Sequence, residues 1–304
     1  MGVHGRPVPV QGAIGPSGSM RSVRHSFSCP LRWADLDMLG HVNNVRYADY
    51  MREARNDLAR TAGIDLGPAG LLVRRHELTF VAPLLFGPEP VVVDCWLSEL
   101  TSSVVTVEYV VHDGAASPRT YLRARSVASA QDERHEPREL TERELAALSA
   151  YVEPGEERDS GEPLRVRSEA ERRYPLTVRV SDLDLTGRAS DVALVEYFQE
   201  ARIGFFSRLL HELPDTARLH WVVAQTDIDL LTPIPPRSAP YDCFSRLARV
   251  GNKSLQVESV IRDEHGKDHA TARVVLVVFD PETQRATAPP EGYRELLEGF
   301  VEED

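Results

Sequence analysis

Apolar positions along the chain follow two alternating rhythms. Between Asn44 and Thr61, Tyr47, Met51, Ala54 and Leu58 fall three or four residues apart, which places them on one face of a helix, and Gly63 supplies a stop. Before it, Arg24 to Trp33 is strand-like. After it come four segments rich in β-branched residues, Leu71 to Phe80, Val91 to Leu100, Val104 to His112 and Tyr121 to Ala130. The Asp113-Gly114 pair between the last two has the chemistry of a tight hairpin, so the strands are expected to pair antiparallel.

The whole pattern then recurs. Leu194, Phe198, Ala201, Phe205 and Leu209 form a second apolar helix face, followed by strands predicted at Trp221 to Leu230, Tyr241 to Val250, Leu255 to Asp263 and Ala270 to Phe279. The turn before the first helix, Asp37-Met-Leu-Gly40-His41-Val-Asn43-Asn44, is matched by Asp184-Leu-Thr-Gly187-Arg188-Ala-Ser190-Asp191. A repeat of nearly half the chain implies two copies of one fold. Each copy should be α+β, a strand, a long helix and four antiparallel strands, with the sheet hiding one face by wrapping around its single helix. The expected layout is a disordered tail at 1–23, a first domain at 24–150 closing with a short helix near Glu139 to Tyr151, an exposed linker at 151–172, and a second domain at 173–304.

Length and charge narrow the function. A chain of 304 residues suffices for two cores, and a net charge of −12 disfavours nonspecific attraction to nucleic acid or anionic membranes. No apolar run is long enough to span a bilayer. Three cysteines without a CxxC pair, of which Cys95 and Cys243 occupy matching strand positions, read as buried thiols of a cytoplasmic protein. His265 and His269 flank a hairpin glycine and read as solvated turn residues, not as a metal pair. Neither a metal nor a cofactor is expected.

The order of elements and the motif Asp37-x-x-Gly40-His41-Val-Asn43-Asn44-x-x-Tyr47 resemble the hotdog-fold thioesterase superfamily, in the branch of 4-hydroxybenzoyl-CoA and related acyl-CoA thioesterases. The resemblance covers residues 24 to 132 and, more weakly, 173 to 280. It implies a tandem hotdog whose sheets join edge to edge as a pseudo-dimer, with both halves lining each site, and an acyl-CoA thioesterase activity. It assigns Asp37 as the catalytic carboxylate, acting either as nucleophile or as general base on water, and the backbone N–H near Asn44 as the donor to the thioester oxygen. Gly40 would bring backbone close to the ligand, and His41 would contact the ligand or orient Asp37.

Other readings stand beside this one. Asn43 and Asn44 are good helix caps, and Asp37, which recurs as Asp184, could simply hold a turn. Asp35 and Asp182 read as structural hydrogen-bond acceptors, and Glu53 and Arg55, like Glu200 and Arg202, as surface or interface pairs. Glu77, aligned with Asp227, is a further polar candidate, and Arg74, Arg75, Arg119, Arg123 and Arg125 are candidates for coenzyme A phosphates. Asp191 puts a carboxylate where the oxyanion should go, so Asp184 marks a possible second site of lower competence. Plant-type acyl-carrier-protein thioesterases carry Asn where this chain has Leu39, which favours coenzyme A as carrier. Enoyl hydratases space Asp and His differently, whereas a non-enzymatic acyl-CoA sensor and further homo-oligomerisation stay open.

Overall fold

A computed structural model of the chain describes residues 23–66, 70–132, 134, 136–153, 172–212, 220–280, 282–283, 285–289 and 292–301, with only the backbone at 210–212. Nearly all of the expected N-terminal tail and of the expected linker lie outside the described residues.

The first half runs β1 (His25–Cys29), α1 (Arg46–Thr61), β2 (Leu72–Phe80), β3 (Val91–Leu100), β4 (Val105–His112) and β5 (Thr120–Gln131). A two-residue strand β6 (Pro137–Arg138) and a short helix α2 (Glu142–Ser149) follow. The second half repeats this as β7 (Arg173–Leu176), α3 (Asp191–Glu212), β8 (His220–Leu230), β9 (Tyr241–Val250), β10 (Ser254–Arg262) and β11 (Asp268–Asp280), then β12 (Arg285–Ala286) and α4 (Tyr293–Glu298). The periodicity located every long element to within a few residues. Helix α1 starts two positions later than expected because the Asn43 side chain accepts from the Val45 N–H (2.9 Å), which holds Asn44 and Val45 in a turn.

All ten main strands form one antiparallel sheet in the order β1-β3-β4-β5-β2-β8-β11-β10-β9-β7. The second five mirror the first, and the two sets meet where β2 pairs antiparallel with β8. In that pairing Glu77 lies opposite Asp227, its own counterpart, so the repeat is related by an approximate two-fold through these residues. Arg75 bonds Glu77 (2.8 Å) and Asp229 (3.0 Å) across the join.

Each helix lies on its own sheet through the expected apolar face. Tyr47, Met51, Ala54 and Leu58 are buried in the first core, and Leu194, Phe198 and Ala201 in the second. Val45, just before α1, and Ala48 within it pack into the second core beside Val192 and Val195, so the helix N-termini meet at the join. Cys29, Cys95 and Cys243 are buried free thiols, and burial pushes the Cys95 thiol up to about 12.

Asp35 is structural, as its pattern suggested. Its Oδ2 accepts from the Arg32 N–H (2.8 Å) and the Tyr50 hydroxyl (2.7 Å), and Asp182 repeats both bonds with Arg179 and Tyr197. These bonds tie the chain before each motif turn to the helix after it. Tyr50→Phe withdraws a donor from a buried carboxylate and should cost about 1–3 kcal/mol in urea denaturation, with the secondary structure unchanged.

Candidate active site

The motif turn is built by its own polar groups. The Asp37 N–H donates to the His41 carbonyl (2.8 Å), the Gly40 N–H donates to the Asp37 carbonyl (3.1 Å), and Gly40 takes φ 73°, a conformation that suits glycine. Asp37 Oδ1 accepts from the N–H groups of Leu39 (2.8 Å) and His41 (3.1 Å). Asp37 Oδ2 accepts from no described residue. One carboxylate oxygen therefore holds the turn, and the other has no partner among the described residues.

The turn is then pinned to the fold. Leu36 bridges Val42, the Val42 N–H donates to the Leu84 carbonyl (2.8 Å), and the Asn43 N–H donates to the Asp35 carbonyl (2.7 Å). The chain enters α1 immediately afterwards, so Asp37 stands before the unpaired N–H groups and partial positive charge of that helix. Of the two asparagines, Asn43 is the local cap, whereas the half-buried Asn44 side chain makes no hydrogen bond with any described residue. His41 is buried, with its ring edge against Phe279 of the second half at 6.1 Å. The first-half site thus draws part of its wall from the other repeat.

The second half copies the turn. Asp184 Oδ1 accepts from the N–H groups of Thr186 (2.8 Å) and Arg188 (3.4 Å), and Gly187 takes φ 75°. A cavity of about 320 Å³ opens here, lined by Arg52, Arg55 and Gln131 of the first half and by Asp184, Asp191 and Leu230 of the second. Both repeats line this groove.

What occupies the head of α3 differs from what occupies the head of α1. The Asp191 carboxylate is clasped from across the join by Arg55 (2.8 Å), His76 (3.5 Å) and Arg52 (3.6 Å). Arg55 also donates to the Tyr109 hydroxyl (3.2 Å), and the Ser126 hydroxyl sits 2.9 Å from His76 Nδ1. Burial would raise the Asp191 carboxyl, but Arg55, His76 and Arg52 outweigh it and hold it well below the ordinary range. Arg55 is thus an interface pair, one of the roles its position suggested.

Several candidates read from the sequence lie elsewhere. Glu77 is bonded to Arg75 on the sheet face away from the helices, and the inward neighbour His76, which sequence reasoning passed over, is the residue that reaches a helix N-terminus. Arg75 is committed to Glu77 and Asp229, and Arg125 is buried beside Glu108 at 3.4 Å, so neither is available to a phosphate. Arg119 lies over the Tyr121 ring. His265 is exposed as expected, but His269 is not a solvated turn residue. It begins the inward alternation of β11, is buried, and bonds Asp263 at 3.2 Å and the Thr232 hydroxyl at 2.9 Å.

Two mirrored sheet-and-helix units, each with an acidic turn before its helix, define a duplicated fold in which both repeats line the cavity at Asp184. A family model for the Thioesterase-like superfamily matches residues 31–136 and 178–297, and the chain belongs to that superfamily. The uncharacterized protein YsmA of Bacillus subtilis (strain 168) is 26% identical over 122 residues, 40% of this chain and 82% of that protein. The 12:0-ACP thioesterase from Umbellularia californica matches with a TM-score of 0.65 at 15% identity, covering 86% of this chain and 99% of that one. An acyl-ACP thioesterase from Bacteroides thetaiotaomicron VPI-5482 gives a TM-score of 0.58 at 12% identity, over 84% of this chain and 97% of that one. At these identities the solved structures speak to the fold, a mostly antiparallel hotdog arrangement with two repeats.

The Arg55–Asp191 pair gives a direct test of the join. Arg55→Met leaves Asp191 buried without its main partner and should cost about 3–5 kcal/mol in denaturant unfolding. Because pairing lowers the folded-state carboxyl below its unfolded value, this stabilisation is present at neutral pH. It should fade in the wild type as pH falls below about 4, and be missing from the variant throughout.

Proposed function

We propose that the protein hydrolyses acyl-CoA thioesters at the Asp37 turn, with the two halves acting as a pseudo-dimer in which each sheet wraps its own helix. The observation that carries this reading is the spare Oδ2 of Asp37 standing before the head of α1, where the chain has the neutral Asn44 and not a carboxylate. In the hydrolytic step, Asp37 takes a proton from water as the water oxygen adds to the thioester carbon, or attacks that carbon itself to give an anhydride that water then opens. In either route the backbone N–H groups near Asn44 receive the charge on the carbonyl oxygen, the C–S bond breaks, and the thiolate leaves and is protonated. Gly40 lets backbone approach the ligand, and His41 with Phe279 forms a wall. No cofactor enters the scheme.

A basic hairpin supports a phosphate-bearing carrier. Arg249 and Lys253, in the β9–β10 turn region, line a cavity of about 630 Å³ with Arg294, and the Lys253 carbonyl accepts from the N–H of Val278, next to the Phe279 that meets His41. The equivalent first-half turn, Thr101 to Val104, has no basic residue. Both coenzyme A and acyl carrier protein present a phosphate. Leu39, in place of the Asn of plant-type carrier-protein thioesterases, favours coenzyme A, and acyl carrier protein is the second reading. No helix among the described residues is long and apolar enough to cross a membrane; the role proposed is cytoplasmic, in lipid metabolism.

The test is thiol release from acyl-CoA thioesters of increasing chain length. Asp37→Asn should lower kcat by roughly 10²–10⁴-fold, whereas Asp184→Asn should leave most activity. Equal losses would remove the asymmetry, and saturable binding without thiol release would make the protein a sensor. Reversing the hairpin with Arg249→Glu and Lys253→Glu should raise KM about tenfold with kcat preserved, as expected for charge-assisted phosphate contacts worth a little over 1 kcal/mol.

A further inference from the structure

The approximate two-fold through Glu77 and Asp227 relates the residues around the Asp184 cavity to counterparts around the Asp37 turn. The copies agree closely around the turns, in the Asp35–Tyr50 and Asp182–Tyr197 bonds, in the Leu36–Val42 and Leu183–Ala189 bridges, and in the positive φ of Gly40 and Gly187. They part company at the helix heads. The second-half groove holds an anion, the Asp191 carboxylate, between Arg55 and His76. Carried across the two-fold, that anion becomes the neutral Asn44, Arg55 becomes Arg202, His76 becomes Thr226, and Tyr109 becomes Ser259.

Arg202 and Thr226 are left without the partners that their counterparts enjoy. Arg202 is 8% exposed, has no carboxylate in salt-bridge range and makes no hydrogen bond among the described residues. Burial alone pushes its guanidinium down to about 10. Ser259 cannot stand in for Tyr109, because its hydroxyl is engaged with Ser245 at 2.8 Å. Thr226 is 2% exposed, and its buried hydroxyl has no partner among the described residues. Its strand position opposite Leu78, a core residue, turns it toward the helices. A buried cation without an anion is a costly arrangement, and the same scaffold shows in its other half what satisfies it.

We propose that Arg202 and Thr226, both from the second half, complete the Asp37 site as a subsite for the acyl carboxyl oxygen. It would take the oxyanion formed on addition to the thioester and then a carboxylate oxygen of the released acid. This rests on the reading of Asp37 as the working site and adds to it a cation supplied by the other repeat. The ligand is therefore a monocarboxylate in the position that Asp191 fills in the twin groove. The second groove already carries its own carboxylate beside Arg55 and His76, so a second anion would be repelled there.

The experiment is calorimetric binding of unbranched carboxylates from acetate to dodecanoate, and of benzoate, each against its primary amide. At least one acid should bind the wild type tenfold or more tightly than its amide, and act as a competitive product inhibitor of thioester hydrolysis. Arg202→Gln should lose that preference while amide binding holds, and Arg202→Lys should recover part of it. Asn44→Asp, which rebuilds the second-half ion pair in the first half, should abolish acid binding while raising the melting temperature. It remains informative if Arg202→Gln fails to fold. Equal binding of acid and amide by wild type, or an unchanged preference in Arg202→Gln or Asn44→Asp, overturns the proposal. Acid preference without hydrolysis would sink the enzymatic reading and leave the anion subsite. Hydrolysis that survives Arg202→Gln undiminished would do the reverse.

Discussion

The pairing of β2 with β8 is the interaction on which the molecule depends. Each half alone would present β2 or β8 as a bare edge, a row of unpaired N–H and C=O groups. Joining the two edges satisfies those groups and brings the N-terminal end of α1 into the second core, beside the N-terminal end of α3. The join is electrostatically awkward at its centre, where Glu77 faces Asp227 and burial raises the Asp227 and Asp229 carboxyls. Arg75 reaches both strands there and offsets the like charges.

Because the edges meet in this register, neither motif turn is surrounded by its own repeat alone. Arg55 and His76 come from the first half to serve the head of α3, and Phe279 comes from the second half to close on His41. Duplication within one chain then allows what a symmetric pair of identical subunits cannot, the divergence of one groove from the other. The change at the helix heads, Asn44 against Asp191, is small in atoms and large in charge. It gives Arg55, Arg52 and His76 a carboxylate at the head of α3 and leaves Arg202 with no carboxylate partner among the described residues.

The turn itself explains why the acidic residue was kept in both halves. Asp37 and Asp184 each spend one oxygen on backbone N–H groups of their own turn. The structural and chemical readings of that aspartate therefore do not compete, since a carboxylate has a second oxygen. Retention in the second half follows from the turn alone and carries no implication of turnover there.

Much of this architecture is legible in the order of residues. Period and alternation are local consequences of 3.6-residue and two-residue repeats, so the helices, the strands, their apolar faces and the duplication can all be read from neighbouring positions alone. So can the turn, from its Asp and Gly, and the structural use of Asp35. What chain order cannot supply is which residues meet across the join, some 150 positions apart, because that depends on register and not on neighbours. The irregularity in β2 between Val73 and Arg75 shifts the alternation, so that Val73 and His76 both point inward and Glu77 points out. That shift hides His76 and promotes Glu77. Likewise Arg75, Arg125 and His269 look available as isolated letters, and only tertiary packing, by setting a carboxylate or a hydroxyl beside each, decides that they are engaged.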